Sequence, residues 1–488
     1  MKNFLLYFVL MMPGFASTGQ TVEWSNQQKL KSKINYTQVL GENSSGVFIA
    51  RSKHSEFRDD LTIEKYKNNL AIEVSKDMTQ PDASRIERAI VVESGLLEFA
   101  SAKNGTTGKI DLLLTPFDNS LTPSAPLTLL SVDAGLIAQD RRFMIRSSGD
   151  KKYFTVMYIT YANDKSKSIL NVHGYDAAYL QKYSRRFSLG FAPDDVNLLN
   201  MECDNKGNVF ALVNFPKEAK KAKDRDPRSY FLYAYYPEND NMLEYDIARD
   251  SVFINEIALV VNNYSKTINI AGFYSNKNDN RSIGHLFYKL DIPSTEMQVK
   301  RFDNFDISFV SRVAGSMKNE NDLSLSDLKI RKLVANSDGG CTIISEKYYE
   351  TRQSYTYTVN GFPQTSYRTI YNYDEIVLLA RKGDGSIRFR DFVKKSHSSM
   401  SDGGYYSSFV TILNNEKISL VYNYDVSTDS DIMLVTLNNQ GILDTKVLIK
   451  SMSYYVTIMP PESKQVTANS AIITTLKDRR FCLMRLTL

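Results

Sequence analysis

The chain has 488 residues, 42% hydrophobic and 24% charged, with 60 Lys and Arg against 55 Asp and Glu. That balance belongs to a folded protein: 13 Pro and 23 Gly exclude a collagen-like or disordered chain, and three Cys exclude a disulfide scaffold. The aromatic share is skewed toward strand formers, 30 Tyr and 25 Phe against a single Trp.

The first element is an apolar run from Phe4 to Ala16 behind Met1-Lys2-Asn3, ending in Ser17, Thr18 and Gly19. One positive charge, an apolar stretch too short to span a bilayer and small residues at its end predict a secretory signal peptide over residues 1–19, with one domain over 20–488. The expected destination is the periplasm, the outer cell surface or the extracellular space. No Cys lies near the junction, so a lipoprotein is not expected, and no later run is long enough for an integral membrane segment. Loss of Lys2 with the leader leaves a net charge of +4, too weak a field to predict nucleic acid as a partner. The one basic cluster, Lys217, Lys220, Lys221, Lys223, Arg225 and Arg228, is diluted by Glu218, Asp224 and Asp226 and reads as a solvated loop.

From residue 36 onward helical periodicity is almost absent, and pairs of apolar runs joined by polar turns recur. Seven inner hairpins share one template: runs beginning at Leu61, Ile110, Ile169, Phe231, His285, Glu375 and Ile432, each followed by an Asn-, Asp- or Gly-rich turn and a second run. Another hairpin precedes each, as in Val39 to Ile49 or Cys203 to Leu212, so the unit has four strands. Units begin near residues 36, 88, 142, 196, 253, 328, 405 and 455. Four antiparallel strands leave an apolar face bare unless units stack around an axis, so the prediction is an all-β β-propeller of eight four-stranded blades, with seven as the alternative. The last unit stops one strand short, and Thr21-Val22-Glu23-Trp24-Ser25 resembles Ser386 to Arg390; this N-terminal strand is expected to complete the last blade and close the ring.

Two units are long. The fifth carries an extra stretch from Phe302 to Leu328, acidic toward Lys318 to Asp322, which reads as a surface excursion. In the sixth a long hairpin insertion at about 345–375 runs out through Tyr355 and Tyr357, turns at Asn360-Gly361 and returns through Tyr367, Tyr371 and Tyr373. Tyr offers stacking area and a polar tip at low entropic cost, so these five tyrosines are the predicted binding residues; a hairpin folded back with its Tyr ladder covering an edge is the competing reading.

Chemistry is thinly represented. His54, His173, His285 and His397 have no partner at metal-ligand spacing, and no His-Glu-x-x-His, Cys-x-x-Cys or Gly-x-Ser-x-Gly occurs, so no metal, cofactor or catalytic residue is predicted. His173 and His285 lie in strand runs and read as structural residues, His397 in a loop. Cys203, Cys341 and Cys482 read as buried free thiols, one pair remaining open as an alternative. Asp425, Asp429 and Asp431 lack the spacing and the Glu of an EF-hand and read as a polar turn.

The Trp-bearing boxes of sialidase-type, quinoprotein and WD40 propellers are missing, since Trp24 is alone. The stretch Asn372 to Leu379, running through Gly383-Asp384-Gly385 and Lys394-Lys395 to Ser401-Asp402-Gly403-Gly404-Tyr405-Tyr406-Ser407-Ser408-Phe409, resembles a group of uncharacterised exported β-propeller-like proteins of Gram-negative bacteria. The resemblance covers the last third of the chain and implies no activity or site residue. The combined expectation is a non-enzymatic binding or assembly module of the cell envelope, partnered by another envelope or extracellular protein or by a glycan. The alternative is a carbohydrate-active or other hydrolytic propeller whose carboxylates converge from separate blades, which spacing along the chain does not reveal.

Overall fold

The computed structural model describes residues 20–29, 36–52, 61–78, 84–137, 143–162, 167–189, 196–216, 228–247, 252–316, 323–414, 417–426, 430–477 and 480–488. The expected signal peptide 1–19, His54, Asp429, the acidic stretch 318–322 and the basic cluster apart from Arg228 lie outside them.

Among the described residues eight antiparallel sheets of four or five strands follow one another along the chain, beside a two-stranded ribbon of Arg281–Ser282 with Leu325–Ser326. Seven occupy residues 36–78, 85–133, 144–188, 197–246, 253–304, 328–393 and 410–449 as blades 1 to 7, and the eighth combines 456–487 with Thr21–Trp24. Strand order is sequential in blades 1 to 7, and in blade 8 the N-terminal strand takes the outermost place; the first strands of blades 1 to 6 approach one another in succession, which sets them around the central axis. The seven hairpins expected to be inner are therefore the outer pair of strands: the apolar first and second strands lie nearer the axis, and the fourth faces solvent. Burial follows this order. The second strands Gly46–Ser52 and Thr267–Ser275 are buried throughout, whereas the fourth strand Gln181–Ser188 is largely exposed.

Eight apolar clusters fill the eight gaps between blades. Phe48 and Ile63 of blade 1 meet Leu96 and Phe117 of blade 2, and on the other side Val47, Ile49 and Tyr66 meet Ile472, Phe481 and Leu483 of blade 8. Each such side chain contributes about 1.5–3 kcal/mol on burial, so the ring is held by face-to-face packing. Thr21–Trp24 pairs with Arg480–Thr487 from Thr21 opposite Thr487 to Trp24 opposite Met484, as the closing strand predicts. Trp24 stacks on Tyr454 at 6.4 Å, and the Lys477 ammonium lies 4.8 Å from the Trp24 ring. Polar hooks cross the same seam: Arg485 grips the Glu42 carboxylate at 2.7 and 3.0 Å, and Thr37 N donates to Glu462 Oε1 at 2.8 Å.

The stretch after blade 5 departs from its prediction. Asp306 caps a helix, α1 (Ile307–Ala314), by accepting from Phe309 N at 2.8 Å, and Gly315 ends it in the left-handed region. Phe305, Phe309, Val310 and Val313 are buried between blades 5 and 6, so this part fills a wedge instead of skirting the surface. The three Cys are buried free thiols in blades 4, 6 and 8.

Candidate functional site

The long hairpin of blade 6 consists of Cys341–Val359 and Phe362–Arg381, paired without interruption from Tyr348 opposite Tyr373 to Val359 opposite Phe362. Asn360 and Gly361 close it with φ of 51° and 82°, the positive pair that a two-residue turn of matching twist requires. Cys341 to Glu346 are buried in the blade, and Thr351 to Asn360 are all exposed. The upper half is therefore an arm standing free of the ring, on the face that carries the second-to-third strand connections.

Register places the five predicted tyrosines on opposite sides of this ribbon. Tyr355 stands opposite Ser366 and Tyr357 opposite Gln364, so both share a face with Val359, Phe362 and Arg368. Their rings lie 5.9 Å apart, and the Arg368 guanidinium is 4.2 Å from the Tyr355 ring. Tyr357 is 46% exposed, Val359 45% and Phe362 70%. Tyr367 and Tyr371 belong to the other face, among Thr and Ser; Tyr367 is 69% exposed. Tyr373 is buried at the foot, 4.7 Å from the Tyr348 ring, and serves the fold. Phe362 was missed as a site residue; its place beside the Asn-Gly turn and opposite Val359 was the available signal.

The foot is a buried ionic cluster. Lys395 Nζ lies 2.8 Å from Glu346 Oε1, both side chains fully buried, while Arg331 Nε and Ser408 Oγ each donate to Glu346 Oε2 at 2.8 Å. Lys395 also donates to Tyr373 O at 2.7 Å. Burial pushes the Lys395 ammonium below its ordinary pKa, and the Glu346 charge opposes that shift. His397 lies in the strand His397–Met400, not a loop; this strand pairs with Ile370–Tyr373 along the arm's returning side. Its Nε2 donates to Asn423 O at 2.7 Å, and burial pushes its pKa down to about 3. His173, stacked on Tyr158, is pushed to about 4, also by burial.

Burial raises Glu202, whose charged neighbours are Arg88 and Arg146, and raises Glu462 to about 8. These two stand on blades 4 and 8, each beside cations or hydrogen-bond donors and not beside the other. A cavity of about 240 Å³ between blades 1 and 2 is lined by Glu87 and Glu98 together with Arg88 and Lys464. On the face opposite the arm a groove of about 450 Å³ between blades 4 and 5 carries Asn205, Asn208, Asn239, Asn241 and Asn263. Among the described residues no three His, Cys, Asp or Glu side chains group as metal ligands would, and no helix is long and apolar enough to cross a membrane.

No family model and no curated protein matches the chain. Among solved structures it is similar to prolyl oligopeptidase B from Galerina marginata, at 10% identity and a TM-score of 0.40, over 90% of this chain and 54% of that one. It is also similar to the β-propeller domain of the trilobed protease from Pyrococcus furiosus, at 9% identity and a TM-score of 0.39, over 84% and 94%. A third is the WD40 domain of SCAP from fission yeast, at 8% identity and a TM-score of 0.37, over 96% and 98%. The chain thus spans about half the length of the oligopeptidase. The assignment as a β-propeller rests on the eight sheets themselves.

Proposed function

We propose that the protein is exported and acts as a non-enzymatic binding or assembly module of the bacterial cell envelope, engaging an envelope protein or a glycan through the blade 6 arm. One observation carries this reading: Tyr357, Val359 and Phe362, each 45–70% exposed, share one face of a ribbon that contributes nothing to the packing between blades. Tyr355 and Arg368 extend that face with a stacked cation, a combination suited to recognition. The leader sequence and the resemblance to exported Gram-negative propellers support the compartment. The test is affinity capture from envelope extracts and from a glycan array, comparing the wild type with a Tyr355→Ala, Tyr357→Ala double variant. At least one protein or glycan captured by the wild type is expected to fall at least tenfold with the variant; identical capture overturns the reading.

The cavity between blades 1 and 2 supports a second, hydrolytic reading, because buried Glu87 and Glu98 side chains line it together. Turnover of a polysaccharide panel that Glu98→Gln abolishes would establish it, and no turnover by the wild type would remove it.

A further inference from the structure

Resting on the reading of the arm as the binding element, we propose that the outer edge of its outgoing strand captures an extended, acidic peptide segment of a partner protein by strand addition. The argument begins with hydrogen-bond parity. In a two-residue hairpin turn the closing pair, here Val359 and Phe362, exchanges both backbone bonds, so the next pair, Thr358 and Pro363, points its backbone groups outward. Alternation then turns Glu350, Arg352, Ser354, Thr356 and Thr358 outward on the outgoing strand, and residues 363, 365, 367 and 369 outward on the returning one. Two contacts at the foot confirm the parity. Tyr348 N donates outward to Asp327 O at 2.9 Å, and Thr369 O accepts from Ser401 N at 2.9 Å.

The two edges differ. The returning edge is blocked at its tip by Pro363, which has no N–H to offer, and at its base by the paired strand His397–Met400 and by Ser401. Among the described residues the outgoing edge is covered only at its root, where Leu328–Ala335 pairs as far as Lys347 and Asp327 takes the Tyr348 N–H. From Glu350 to Thr358 no strand pairs with it among the described residues. Proteins ordinarily blunt an open edge with Pro, Lys or a bulge; here one edge is blunted and the other presents Ser354, Thr356 and Thr358 above Glu350 and Arg352.

Charge selects the occupant. Residues 351–369 contain Arg352 and Arg368 and no Asp or Glu. Glu350, at the root of this edge, is engaged by the Tyr348 hydroxyl at 2.5 Å; over 351–358 a second copy offers no acid to Arg352, whereas an incoming strand with Asp or Glu would meet Arg352 on one face and Tyr355 and Tyr357 on the other.

The test uses the full chain and a displayed library of random 12-residue peptides. Thr356→Pro removes one outward N–H and no bond within the hairpin, just as Pro363 does on the other strand. The wild type is expected to select peptides rich in Asp or Glu and β-branched residues, with binding reduced at least tenfold by Thr356→Pro. Failure to select any peptide, or equal binding by Thr356→Pro, overturns strand addition. Concentration-dependent dimerisation that Thr356→Pro abolishes overturns it too, by identifying a second copy as the occupant. If peptides bind Thr356→Pro but not the Tyr355→Ala, Tyr357→Ala variant, the aromatic face survives as the binding element and only the strand-addition account falls.

Discussion

Between Cys341 and Glu346 the outgoing strand of the long hairpin has a neighbour on each side and is buried residue after residue; between Thr351 and Val359 it has one neighbour and every residue is exposed. Both halves consist of β-prone residues, so local preference does not distinguish them. The difference lies in what the second side of the ribbon meets. Below, Ile343 and Ile344 face blades 5 and 7, and the polar groups that must be buried there are satisfied by one another. Above, Tyr357 and Phe362 face solvent. Burial is concentrated in the foot, and the exposed arm is the part to which recognition is assigned in the proposed function.

The contrast breaks most readily at the foot. Lys395→Met leaves the Glu346 carboxylate buried with one cation fewer, which costs about 3–5 kcal/mol. A fall of roughly 5 °C or more in the unfolding midpoint is expected by calorimetry. Adding Glu346→Gln should recover part of that loss, because the buried carboxylate is then gone and the Arg331 left behind is 30% exposed and rests on the Tyr348 and Tyr373 rings.

A smaller effect comes from pH. His397 has a folded pKa of about 3, below the ordinary imidazole value, so its contribution is complete above about pH 6.5 and is lost as pH falls toward 3. His397→Gln should therefore be less stable than the wild type at pH 7, with the gap closing as thermal melts are repeated at lower pH. A gap that stays constant from pH 7 to pH 4 would place the role of His397 in packing alone.

Much of the fold was legible because each blade announces itself at its turns. Asp118, Asp176, Asp204 and Asn438 each accept backbone N–H bonds from the following residues, so polar clusters mark the hairpin ends wherever the strands pack. The expected start at residue 253 coincides with Phe253, and that at 405 falls short of Val410 because Tyr405 and Tyr406 lie in the approach to blade 7. Helix α1 escaped because eight residues with Phe309, Val310 and Val313 inward make too short a pattern within a polar stretch. The foot escaped for a different reason. Arg331, Glu346, Lys395 and Ser408 come from separate segments and meet only in space. The arm was legible from Asn360-Gly361 and its flanking alternation, whereas the division of its tyrosines between two faces depends on register across the turn.

The most direct measurement replaces residues 352–369 by Asn-Gly, joining Thr351 to Ile370, a pair already opposite each other in register. Partner capture by this shortened chain is compared with the wild type at matched concentration, alongside its unfolding midpoint. The account predicts a midpoint within about 2 °C of the wild type, as expected for removal of exposed strand, with capture lost. A chain that keeps its partner, or melts as early as Lys395→Met, would contradict it.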